Sequence, residues 1–151
     1  MSNGKYQRSF LYITQLNQRT TMNQKKAFSV EFDFHASPQL LFQYLSTPSG
    51  LSEWFADNVN SRGEDFTFIW DDGEEYAKLL SKKANQKVRY QWQNDEPNQE
   101  EYYFEFVIEV DAITKDVSLI INDFAEEEEI EESKMFWENS ISSLKQVLGS
   151  A

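Results

Sequence analysis

Residues 37–57, SPQLLFQYLSTPSGLSEWFAD, decide the fold. Ser37 is a helix N-cap with Pro38 at the first helical position, and Leu40, Leu41, Tyr44 and Leu45 then fall on one face. Thr47-Pro48 ends that helix, because proline disfavours helical geometry in the residue before it. The same proline suits a helix start, so a second short helix carries Leu51, Trp54 and Phe55. The stretch therefore predicts two short helices joined by a sharp elbow.

Outside the elbow the hydrophobic period is mostly two. Phe28, Val30, Phe32 and Phe34 alternate with polar residues, as do Phe66/Phe68/Trp70, Val88/Tyr90/Trp92, Tyr102/Phe104/Phe106/Ile108/Val110 and Val117/Leu119/Ile121. Such alternation describes strands with one buried and one wet face, suited to an antiparallel sheet. DDGEE, residues 71–75, predicts a tight hairpin whose Asp-Gly supplies positive φ, joining 65–70 to a strand near 75–83. QNDEPNQEE is a longer polar connection, and ITKD a short turn. In the last segment Ile130, Trp137 and Leu144 stand seven apart, with Ile141 and Leu148 on the same face, which predicts a long amphipathic helix stopped by Gly149. Strand, two short helices, five or six strands and a long helix make an α+β sandwich, which can keep a cavity between its layers.

The elbow, the strand FTFIW and the tail VSLIINDFAEEEEIEESKMFWENSISSLKQVL resemble the START-like, helix-grip (SRPBCC) superfamily. Within it they look closest to bacterial homologues of the activator of the ninety-kilodalton heat-shock chaperone's ATPase, over residues 28–149. The resemblance implies an antiparallel sheet wrapped around the C-terminal helix. It also implies an apolar cavity of the kind that holds lipids, sterols, polyketides or plant hormones, and so binding more than catalysis. Chaperone activation is not carried over, because it goes with an extra chaperone-binding domain in the eukaryotic activators.

Composition narrows the partners. Twenty-six acidic residues against 14 Lys plus Arg give a formal charge of −12, which repels nucleic acid and anionic membranes. With no cysteine there is no disulfide, thiolate site or Cys nucleophile, and a cytoplasmic location is expected. Residues 1–27 differ from the rest, carrying Lys5, Arg8, Arg19, Lys25 and Lys26 with no acid. They read as a flexible leader ahead of a domain spanning 28–149, with Met22 as a candidate initiator, and contain no stretch long enough to span a membrane.

Catalytic and metal signals are weak. His35, the sole histidine, falls on the polar face of its strand and reads as a surface residue, and no nucleophile-elbow motif is present. Asp71, Asp72, Glu74 and Glu75 surround Gly73 without calcium-loop spacing and read as a solvated turn; no metal or cofactor is expected. Glu126 to Glu132 read as a solvated helix start, with a docking patch for a basic partner as the alternative. Aromatics are 15% of the chain, and strand parity places Trp54, Phe68, Trp70, Tyr90, Trp92, Phe104, Phe106, Trp137 and Ile141 as the wall of a ligand cavity, with Tyr90 as its polar handle. The expected function is thus a non-catalytic binder of a small hydrophobic or amphipathic molecule. An interaction module or homodimer using the acidic surface, and a cyclase or hydrolase with a polar pair in the cavity, are the alternatives.

Overall fold

A computed structural model describes residues 24–149; residues 1–23, most of the expected leader, lie outside the described residues. Strand β1 (Lys26–Phe34) is followed by α1 (Pro38–Ser46) and α2 (Pro48–Trp54). Then come β2 (Asn58–Arg62), β3 (Asp65–Trp70), β4 (Gly73–Lys83), β5 (Lys87–Trp92), β6 (Phe104–Val110), β7 (Val117–Ala125) and the long helix α3 (Ile130–Leu148). The strands form one antiparallel sheet ordered β1-β7-β6-β5-β4-β3-β2, which places the first strand beside the last and leaves β1 and β2 at the edges. This is the expected α+β, helix-grip arrangement.

The elbow is built as its residues require. Ser37 Oγ accepts the N–H of Leu40 at 3.1 Å, and Thr47 Oγ1 accepts that of Gly50 at 3.0 Å, so each short helix has a side-chain cap. The same Thr47 hydroxyl donates to the carbonyl of Gln43 at 2.7 Å, closing one helix while opening the next. Gly50 sits where a Cβ would lie 2.3 Å from Gln43 O and 2.6 Å from Tyr44 Cα, so the two helices approach at backbone contact. The indole of Trp54 then donates back to Tyr44 O at 2.8 Å.

Three local expectations are corrected. Strand β2 was not foreseen, because NVNSR buries only Val59 and carries no alternation; it pairs on one side alone, as an edge strand. In the DDGEE hairpin Trp70 pairs with Gly73, so Asp71 and Asp72 make the loop and only Gly73 takes positive φ, at 148°. The acidic run is not wholly solvated: a 3-10 turn over Glu127–Glu129 precedes α3, and Glu126 and Glu129 are buried. The chain turns in so tightly after β7 that these two carboxylates lie against the domain rather than on an open helix start.

Register puts Phe28, Val30, Phe32 and Phe34 on one face with Val117, Leu119, Ile121 and Asp123, and that face continues through Phe104, Phe106, Tyr90, Ala77, Phe66 and Phe68. Helix α3 and the elbow cover it and close a single core. Strand β1 begins at Lys26, so the sheet includes two residues that the composition break had assigned to the leader.

Candidate functional site

The nine expected cavity-wall residues, six on strands and three on helices, lie together. Trp54, Phe68, Tyr90, Phe104, Phe106 and Trp137 are inaccessible to solvent, Trp70 and Ile141 nearly so, and Trp92 is partly buried. Their rings touch one another. Trp92 stacks on Phe104 at 5.0 Å between centroids, Tyr90 on Phe104 at 5.3 Å, and Phe68 meets Trp92 edge-on at 5.3 Å. From the helical side Trp137 lies edge-on to Phe106 at 5.7 Å. Phe55, which the sequence placed on α2 but not in the wall, stacks on Trp137 at 5.8 Å and joins the two layers. Each such pair adds ~0.5–1.5 kcal/mol beyond its area burial.

The polar tips of these aromatics sort them. The hydroxyl of Tyr90 donates to the carbonyl of Leu45 at 2.8 Å, fastening β5 to the end of α1, and burial pushes its phenol far above the ordinary range. The indole of Trp137 donates to Asp123 at 2.9 Å, and that of Trp54 is held by Tyr44. Trp70 differs: its side chain is 3% exposed, yet its indole N–H has no acceptor among the described residues. A buried donor without an acceptor costs ~1–3 kcal/mol, so it needs a reason.

Two inner-face carboxylates were not foreseen. Asp123 continues the parity of Val117, Leu119 and Ile121 inward and is 5% exposed, held by Trp137 and the N–H of Phe124. Glu75 lies opposite Phe68 in the β3–β4 ladder, hence on the inner face, and half-burial pushes its carboxyl above the usual range. Parity carried across the corrected hairpin reaches Glu75; composition alone does not. His35 is exposed at the end of β1, and no cluster of three or more metal-ligating side chains occurs among the described residues. A cleft of about 370 Å³ opens on the other side of the elbow, beside Leu40, Tyr44, Gly50 and Glu53, away from the aromatic cluster. No helix among the described residues is long and apolar enough to cross a membrane.

A seven-stranded antiparallel sheet gripping a C-terminal helix, with an aromatic inner face, defines a helix-grip domain. The chain belongs to the START-like superfamily, whose domain profile matches residues 22–150. Among solved structures it is similar to a Bacteroides fragilis protein determined by solution NMR, with 28% identity, 82% of this chain and 91% of that chain covered, and a TM-score of 0.58. It is also similar to the Aha1 dimer from Colwellia psychrerythraea (18% identity, 82% and 96% covered, TM-score 0.70). A third similar fold is DynU16, a protein of the dynemicin biosynthetic locus (14% identity, 82% and 47% covered, TM-score 0.68). None of the curated proteins matches the sequence.

Proposed function

We propose that this protein binds a small hydrophobic or amphipathic molecule between the inner face of its sheet and α3, without transforming it. The observation that carries the reading is the aromatic surface that α2, α3, β3, β5 and β6 jointly build, which includes a buried donor, Trp70 Nε1, with no acceptor among the described residues. A core assembled for packing alone spends its donors, as Tyr90, Trp54 and Trp137 do. Entry requires the rings to part, and the wall offers the means where Trp92 and Glu75 are only partly buried. Native mass spectrometry of protein purified from its host, followed by solvent extraction, tests this. A small molecule in stoichiometric amount supports a carrier or sensor. Protein that emerges empty, and that no added amphiphile stabilises, overturns it.

A second reading, an interaction module, is favoured by the close ring packing and by Met135, which stands 61% exposed on α3 beyond the acidic turn. A homodimer of the kind the Colwellia Aha1 structure shows is its simplest form. Sedimentation measures it directly, and a monomer at all accessible concentrations removes that form.

A further inference from the structure

Trp70 and Glu75 occupy one corner of the inner face. Trp70 pairs with Gly73 and Phe68 with Glu75, so the indole and the carboxylate point to the same side from diagonal positions, with Cβ atoms ~7–8 Å apart or slightly less. Rings border the carboxylate: Phe68 lies directly across the ladder, and Trp92 lies opposite Ala77, two residues along β4. Glu75 has no ion-pair partner among the described residues. The corner thus holds an indole donor lacking an acceptor and a half-buried carboxylate lacking a cation, on aromatic ground.

Acidic side chains outnumber basic ones at this end of the sheet. The strands run so that Trp70, Glu75, Trp92, Phe104 and Asp123 all lie toward the start of α3, where Glu126 and Glu129 are also buried. Lys25 and Lys26 approach the same end but are engaged, with Glu96 at 2.7 Å and Glu127 at 3.0 Å. Lys145, in contrast, lies over the ring of Phe34 at the opposite end of the sheet. A cation entering the corner would meet carboxylates and ring faces, both of which attract it, whereas an anion would meet the same carboxylates and only lysines already paired with acids.

Resting on the proposed ligand-binding function, we propose that this corner receives the ligand's polar head, and that the head is a protonated amine with a hydroxyl on the adjacent carbon. The ammonium sits against Glu75 and the neighbouring rings; the hydroxyl oxygen accepts the N–H of Trp70; the apolar body runs toward Phe104, Phe106 and Ile141. Burial raises the Glu75 carboxyl, so an ammonium beside it removes the cost of holding that charge half-buried. An alkyl chain alone would leave the Trp70 donor unspent, which is why an oxygen beside the amine is part of the assignment.

Calorimetric titration at pH 7, with chain-matched probes below their micelle concentrations, tests the subsite. Decylamine is expected to bind about tenfold tighter than decan-1-ol, 1-amino-2-decanol tighter again, and decanoate most weakly. Glu75→Gln should erase the preference for amine over alcohol, chiefly by weakening decylamine. Trp70→Phe keeps a ring but removes the N–H, and should erase the advantage of the amino alcohol over the plain amine. Glu75 is partly exposed, so its variant is expected to fold, and thermal melts check both. Equal affinity for amine and alcohol, or a preference that survives Glu75→Gln, overturns the subsite but leaves the ligand-binding function standing. Failure of every probe to bind overturns both.

Discussion

The indole N–H of Trp137 donates to Oδ2 of Asp123 at 2.9 Å, tying the long helix to β7 inside the core. The carboxylate also accepts the N–H of Phe124 at 2.7 Å and is 5% exposed. Trp137→Phe therefore removes volume and a donor at once. It should cost ~3–5 kcal/mol, the lost contacts being compounded by a buried acceptor deprived of its partner. Asp123→Asn retains an oxygen for the indole and should cost clearly less. Urea denaturation of the two variants measures the difference; an Asp123→Asn loss as large as that of Trp137→Phe would mean that the indole needs the charged carboxylate and not merely an acceptor oxygen.

Gly50 is required by space. A methyl group at its Cα would stand 2.3 Å from Gln43 O and 2.9 Å from Gln43 C, and backbone cannot withdraw as a flexible side chain can. Alanine elsewhere in a helix is favourable, so the sign here is decided by the contact and not by propensity. Gly50→Ala should destabilise by ~1–3 kcal/mol, as overpacking does, and should weaken the Trp54–Tyr44 bond across the elbow. Unchanged thermal stability would show that the helices can separate freely. Near-UV circular dichroism, which is sensitive to the Trp54 environment, follows the local change.

Tyr90 should be silent in an alkaline titration. Its hydroxyl donates to Leu45 O and its ring is inaccessible, so burial holds the phenol far above the ordinary tyrosine range. Native protein and Tyr90→Phe should then show the same phenolate absorbance rise until the domain unfolds. The variant should meanwhile lose ~1–3 kcal/mol, because the Leu45 carbonyl is left without that donor. A smaller absorbance rise in Tyr90→Phe than in native protein, before unfolding, would place Tyr90 in contact with water.

How much of this was legible depends on how far apart the partners stand in the chain. The elbow was readable because its determinants, Ser37, Pro38, Thr47, Pro48 and Trp54, act on neighbours within a turn or two. The inner face was readable because strand parity is a local property: Phe68, Trp70, Tyr90, Trp92, Phe104 and Phe106 share one face, and helical periodicity brings Trp54, Trp137 and Ile141 onto it. Strand β2 was not, since an exposed edge strand has no hydrophobic pattern and exists by pairing with β3. The polar tips were the least legible. Tyr90 was expected to be the ligand's handle, yet its acceptor is a backbone carbonyl 45 residues away, whereas Trp70, with nothing in its sequence context to distinguish it, retains an unspent donor. Glu75 was assigned to a solvated turn because the hairpin had been placed with Gly73 in its loop; the actual Trp70–Gly73 pairing puts Glu75 on the inner face.

Glu75 offers the last prediction, which bears on stability without any ligand. Desolvation raises its carboxyl above the usual glutamate range, so the folded protein binds this proton more tightly than the unfolded chain. Where the folded state holds the extra proton, stability falls as pH rises from the unfolded-state value through the folded one, and the deficit then persists to neutral pH. Glu75→Gln lacks the charge at every pH. It should melt higher than native protein at pH 7, while the two converge once acid has protonated Glu75 in both folded and unfolded chains. Because the side chain is only half-buried, solvent screening keeps the gain well under the ~1.4 kcal/mol that a tenfold change in proton affinity would give. Glu74, the neighbouring acid, points to the other face, where it accepts from the Tyr76 hydroxyl, and it is unchanged in the comparison. If Glu75→Gln instead melts lower at neutral pH, the carboxylate has a favourable partner within the folded chain, and a cation is not what that corner lacks.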